Sequence, residues 1–99
     1  MKIKITESVK DLKGNPIKNS EGNDWTLKEA IATACLSTYQ GDNPSGEEKY
    51  KRWKLANAVE QHAGEEFEMT VEQVAMVKKL AGGVFPTITS GAIWSMLEK

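Results

Sequence analysis

Cysteine and histidine are almost absent: Cys35 and His62 each stand alone in 99 residues. A single cysteine excludes an intrachain disulfide and fits a reducing compartment, so a cytoplasmic location is expected. A closed zinc site draws on about four Cys or His ligands, and the chain has one of each, far apart. Any Ser-His-Asp or Cys-His nucleophile must run through His62. His62 falls near the end of a helical pattern, where histidine complements the helix dipole. Cys35 falls on an inward stripe, where cysteine behaves as a small hydrophobe. Neither is expected to be catalytic.

Long hydrophobic runs are also missing. The longest strictly apolar run is Val74-Ala75-Met76-Val77, against the roughly 20 residues a membrane span needs. The first residues, Met1-Lys2-Ile3-Lys4-Ile5, alternate charged with apolar side chains and lack the core of a signal peptide. No membrane association is expected.

There is no excess of positive charge. Lys and Arg total 13, Asp and Glu 14, for a net charge of −1. Dedicated nucleic-acid binders usually carry a basic surplus, because phosphate neutralisation drives their affinity. The charge is unevenly placed: residues 1–54 hold 10 basic and 8 acidic side chains, residues 55–99 hold 3 and 6.

Catalytic signatures are lacking too. No G-x-S-x-G, phosphate loop or dinucleotide fingerprint occurs. Asp42-Asn43-Pro44-Ser45-Gly46-Glu47 starts like a calcium loop, but Pro44 falls where the second ligand belongs and Trp53 where the closing glutamate belongs. Glu47/Glu48, Glu65/Glu66 and Glu68/Glu72 lie in polar segments without the apolar pocket that shifts a catalytic carboxylate. No enzyme activity, metal or cofactor is expected.

What is present reads as one α+β domain, mainly helical, over residues 1–99. Residues 1–25 predict a short β-hairpin. Lys2–Ile5 has strand alternation, Gly14-Asn15-Pro16 and Ser20–Asp24 are turns, and Ile17 suits a return strand. Residues 26–99 predict about four helices. Thr26-Leu27-Lys28-Glu29, Ser45-Gly46-Glu47-Glu48 and Thr70-Val71-Glu72-Gln73 are capping boxes. They open helices to about Tyr39, His62 and Ala81, with Gly82-Gly83 ending the third, and a fourth spans about Pro86–Leu97. Glu65–Met69 alternates and suits an extended segment pairing with the hairpin.

Helical periodicity places Leu27, Ala30, Ile31, Ala34, Cys35 and Thr38 inward on the first helix, and Leu55, Ala58, Val59 and His62 on the second. It does the same for Val71, Val74, Ala75, Val77 and Leu80 on the third, and Ile88, Ala92, Ile93, Met96 and Leu97 on the fourth. The core is expected to centre on Leu27, Ile31, Ala34, Leu55, Val59, Val74, Val77, Ile93 and Leu97. No internal repeat is expected. The hairpin leaves an edge that pairing across a two-fold axis would cover, so a homodimer is expected.

One segment rises above background. Lys49-Tyr50-Lys51-Arg52-Trp53-Lys54 packs four cations and two aromatics into six residues of one helix. Such groups can hold phosphates and stack bases. The reading preferred from sequence is structural: the two aromatics pack inward and the cations are solvated, with Glu47 and Glu48 pairing to Lys51 and Arg52 at i+4.

Val9-Lys10-Asp11-Leu12-Lys13-Gly14-Asn15-Pro16-Ile17, Thr26–Ala30, Ser45–Arg52 and the closing Ala92-Ile93-Trp94-Ser95-Met96-Leu97-Glu98 together resemble a group of small, mostly uncharacterised bacteriophage and prophage proteins. The resemblance implies a phage protein in the host cytoplasm and brings no catalytic residue with it. The function expected is non-enzymatic binding of a phage or host protein, as a regulator, assembly factor or host-directed inhibitor. Trp25, Trp53 and Trp94 are candidate contact groups, since Trp is favoured at hot spots. The alternative is a nucleic-acid-binding module with Lys49, Lys51, Arg52 and Lys54 on phosphates and Tyr50 or Trp53 against bases.

Overall fold

A computed structural model describes residues 1–98. The element order is β1 (Lys2–Lys4), α1 (Leu27–Leu36), α2 (Gly46–Gln61), β2 (Glu66–Glu68), α3 (Val71–Val84) and α4 (Thr87–Leu97). This is the mainly helical α+β class.

All three capping threonines and serines act. The Thr26, Ser45 and Thr70 side chains accept from the backbone N–H of Glu29, Glu48 and Gln73. At Thr70 the box closes fully, because Gln73 Oε1 accepts the Thr70 N–H at 2.9 Å. Each bond satisfies a donor that the first helical turn otherwise leaves open.

β1 and β2 form an antiparallel pair, with Lys2 opposite Glu68, Ile3 opposite Phe67 and Lys4 opposite Glu66. Two facing charge pairs flank one inward apolar pair, which fixes register. The Met1 amine donates to the Glu68 carboxylate and to Met69 O. Just past β1, the carbonyls of Ile5 and Glu7 accept the N–H groups of Lys28 and Leu27, at 2.8 and 2.9 Å, so the start of α1 covers the chain there.

The rest of residues 1–25 forms two tight turns, closed by single bridges between Lys10 and Pro16 and between Lys18 and Asp24. Here the structure corrects the sequence reading, for an eight-residue repeat is present. Val9-Lys10-Asp11-Leu12-Lys13-Gly14-Asn15-Pro16 is followed by Ile17-Lys18-Asn19-Ser20-Glu21-Gly22-Asn23-Asp24. In the first turn Asp11 Oδ1 accepts the N–H groups of Lys13 and Asn15, at 2.9 and 3.0 Å. In the second, Asn19 Oδ1 accepts those of Glu21 and Asn23, at 3.0 and 3.1 Å. Gly14 and Gly22 both have φ +83°, a conformation other residues resist. The repeat phases a closed ring of backbone bonds: Val9 N–H to Trp25 O, Trp25 N–H to Ile17 O, and Ile17 N–H to Val9 O, all 2.8–2.9 Å. Val9, one corner of the ring, is fully buried.

One apolar cluster joins this segment to all four helices. It contains the nine residues expected for the core, and adds Ile3, Ile5, Val9 and Met69 from the extended segments. Thr38, Ala58, Val71, Ala75 and Ile88, expected inward, are exposed. Thr38 lies outside because α1 stops at Leu36, where Ser37 turns extended at φ −100°, ψ 161°.

Gly82-Gly83 does not end α3, which continues to Val84. Gly83 serves contact instead: a Cβ there would lie 2.7 Å from the Tyr39 ring. The stop is Phe85 before Pro86, since a residue preceding proline disfavours the helical region.

Candidate functional site

The basic–aromatic segment lies on the first half of α2, and burial divides it. Lys49, Tyr50, Lys51, Trp53 and Lys54 are exposed, and Arg52 is buried. Arg52 is therefore corrected from a surface contact to an internal group. Its position is two residues from Tyr50, about 200° around the helix, which turns it toward α1 and the 37–45 loop. Its guanidinium takes the Asp42 carboxylate in a two-bonded fork, at 2.8 and 3.1 Å. Glu48 Oε1 stands 4.0 Å from Arg52 Nε, the i+4 approach anticipated from sequence. The hydrogen bonds from Arg52, then its charge, hold the Asp42 carboxyl below its ordinary range against the opposing effect of burial.

With Arg52 inside and the Tyr50 and Trp53 rings outside, against the inward packing expected of them, the surface that remains is aromatic. The Tyr50 and Trp53 rings stack with centroids 6.2 Å apart and planes 11° from parallel. Lys54 Nζ lies 5.4 Å from the Tyr50 ring centroid, a cation over a π face. Trp53 is 53% exposed and Tyr50 59%. Across the helix pair, Leu36 at the end of α1 is 63% exposed. Leu36 and Trp53 wall a pocket of ≈ 210 Å³ whose base is Ala32 and Ala56, with Asn57 and Glu60 at the rim. The pocket has room for one aliphatic or aromatic side chain. Leu36, which falls outside the inward stripe expected of its helix, belongs to this site because α1 ends there.

Lys49, Lys51 and Lys54 make no ion pair among the described residues. The expected Glu47–Lys51 pair does not form. On the far side of Tyr50, Lys51 and Lys54 border a second groove with Leu55, Ala58 and Met76.

The other two tryptophans behave differently. Trp25 is half-buried and meets Phe85 edge-on, centroids 5.4 Å apart at 83°. Trp94 is 41% exposed, but its indole N–H donates to Lys78 O at 2.9 Å, and Lys78 Nζ lies over its ring. Both are fixed by local packing.

His62 caps the end of α2 and meets Phe67 edge-on, at 5.2 Å. Cys35 is buried, and that burial pushes its thiol up to about 11. Among the described residues no three of His, Cys, Asp and Glu are grouped to hold a metal, and no helix is long and apolar enough to cross a membrane.

Comparison with known proteins gives no match to a family model, a curated protein or a solved structure.

Proposed function

We propose that this is a non-enzymatic protein that works by binding another protein through the Leu36–Tyr50–Trp53 surface. The observation that carries the reading is the stacked, half-exposed Tyr50–Trp53 pair beside a pocket sized for one side chain. Stacking fixes both rings before a partner arrives, which lowers the ordering cost of association. Trp and Tyr concentrate binding energy at interfaces. On this reading the partner inserts one apolar side chain between Leu36 and Trp53, and Asn57 and Glu60 meet polar groups at its edge. The resemblance to phage and prophage proteins supports a partner of phage or host origin in the host cytoplasm, with the chain acting as a regulator, assembly factor or inhibitor.

Nucleic acid is the second reading, favoured by Lys49, Lys51 and Lys54 beside two aromatic rings. It is the weaker one. Arg52, the cation whose fork best matches phosphate, is spent on Asp42, and the two rings already cover one face of each other.

Affinity capture from cells expressing the tagged protein tests the proposal. A partner retained after nuclease digestion and lost with Trp53→Ala or Leu36→Ser is the expected result. A partner held equally by the wild type and both variants would overturn it.

A further inference from the structure

We propose that the outer face of α4, together with Leu12, docks the same face of a second copy of this chain. This surface is separate from the Tyr50–Trp53 site and rests on different observations.

The first observation is a control built into the sequence. The two eight-residue turns share their hydrogen bonds and their +83° glycines. At the same place in each, one carries Leu12 and the other Ser20. The turn therefore has no need of an apolar residue there, yet Leu12 is 90% exposed, more than any other large hydrophobic residue described. Leu12 lines one groove with Ile88, Ala92 and Met96 of α4, and a shared apolar patch, unlike a lone exposed residue, marks a contact surface.

The second observation is α4 itself. No residue from Thr87 to Leu97 is charged, although surface helices ordinarily carry charges on their outer side. Ile88 is 49% exposed. Thr87, Gly91 and Ser95, also exposed, follow at four-residue spacing and leave a shallow strip that another helix can approach closely. Between this strip and the Leu12 turn runs a groove of ≈ 750 Å³, with Ala92 and Met96 among its lining residues.

Charge selects the occupant. A two-fold interface sets a surface against itself, so every charge near the axis meets its own kind. The Tyr50–Trp53 surface would bring Lys49, Lys51 and Lys54 against the same three lysines. The α4 strip brings none. At the groove's rim stand Glu7, Lys10 and Asp11, both signs, none in an ion pair among the described residues. A second copy can match that rim base to acid. The expected two-fold pairing thus moves from the β1 edge to α4.

Sedimentation equilibrium across a wide concentration range tests this. Wild type should climb from 10.9 kDa toward twice that mass. Leu12→Ser, which copies the natural Ser20 turn, should weaken the dimer about tenfold or more. Ser95→Glu, which sets like charges together on the strip, should leave monomer alone. Circular dichroism checks that each variant is folded, and Leu12→Ser decides if Ser95→Glu is not. Wild type fixed at 10.9 kDa overturns the proposal, including the case where this face binds only a different protein. A dimer of unchanged strength in Leu12→Ser overturns it as well.

Discussion

Arg52 lies across both carboxylate oxygens of Asp42, with Nη1 2.8 Å from Oδ2 and Nη2 3.1 Å from Oδ1. Six per cent of the Arg52 side chain and four per cent of the Asp42 side chain reach solvent. The pair ties α2 to the loop that follows α1, and so sets how the Leu36 and Trp53 walls of the pocket meet. Removing one partner leaves the other charge without its match, a larger loss than deleting a solvated charge. Arg52→Ala should lower the thermal midpoint more than Lys49→Ala, Lys51→Ala or Lys54→Ala, each measured by circular dichroism. Arg52→Lys should not restore it fully, since an ammonium cannot make the fork.

Acid should act through the same pair. The folded Asp42 carboxyl titrates below the ordinary value of 3.8. Between the folded and ordinary values the unfolded chain binds more protons, so stability rises with pH in that window. The contribution is complete above the ordinary value and is lost as pH falls through the folded one. Urea midpoints measured from about pH 5 down to about pH 2 should therefore converge for wild type and Asp42→Asn only once the pH is below the ordinary carboxylate value. A gap that stays constant would remove Asp42 from the acid response.

Two neighbouring glycines should respond with opposite sign. Gly82 has open space where a Cβ would stand, and sits inside α3. Gly82→Ala should stabilise by about 0.5–1 kcal/mol. At Gly83 the added carbon would lie 2.7 Å from the Tyr39 ring. Gly83→Ala should cost roughly 1–3 kcal/mol through that overlap. Denaturant titration of the two variants separates the outcomes.

Cys35 should be inert in the native protein. Its thiol is buried and held neutral by that burial, with a value of about 11 against an ordinary 9.0, and the thiolate is the reactive form. A chromogenic disulfide reagent at pH 8 should label it only on unfolding, at the rate at which the protein opens. Fast labelling of folded protein would contradict its placement.

Oligonucleotide binding should be absent or marginal. Three lysines on phosphates would give a log–log salt slope of roughly −2 to −3. Titration of labelled single- and double-stranded DNA at low salt should instead show no saturable binding. A slope in that range, abolished by Lys51→Glu with Lys54→Glu, would favour the nucleic-acid reading.

Helix starts were legible because capping is local: Thr26, Ser45 and Thr70 each declare a helix within four residues. Core residues on helices were legible from period alone, as Ile31, Val59, Val77 and Leu97 illustrate. The misses are tertiary. Gly83 looked like a stop, and only the Tyr39 ring explains why it lies mid-helix. Arg52 looked like surface, because nothing local tells that Asp42, ten residues earlier, folds back to meet it. Tyr50, Trp53 and their lysines were correctly placed on one helix, but the pocket needed Leu36 from another. The eight-residue repeat was in plain sight, with Lys, Gly and Asn recurring at Lys10/Lys18, Gly14/Gly22 and Asn15/Asn23. Its turns, not its apolar residues, carry the signal, so a search for hydrophobic period passes over it.

Site-specific photo-crosslinking from position 57 tests the partner surface most directly. Asn57 is exposed at the rim of the Leu36–Trp53 pocket, so a photoreactive side chain there reaches whatever fills it. In cells expressing the protein, the expected product is one discrete adduct, destroyed by protease and untouched by nuclease. It should vanish with Trp53→Ala and be absent when the same group is placed at exposed Lys13. A nuclease-sensitive adduct, or the same protein adduct from both positions, would contradict a protein partner held at Trp53.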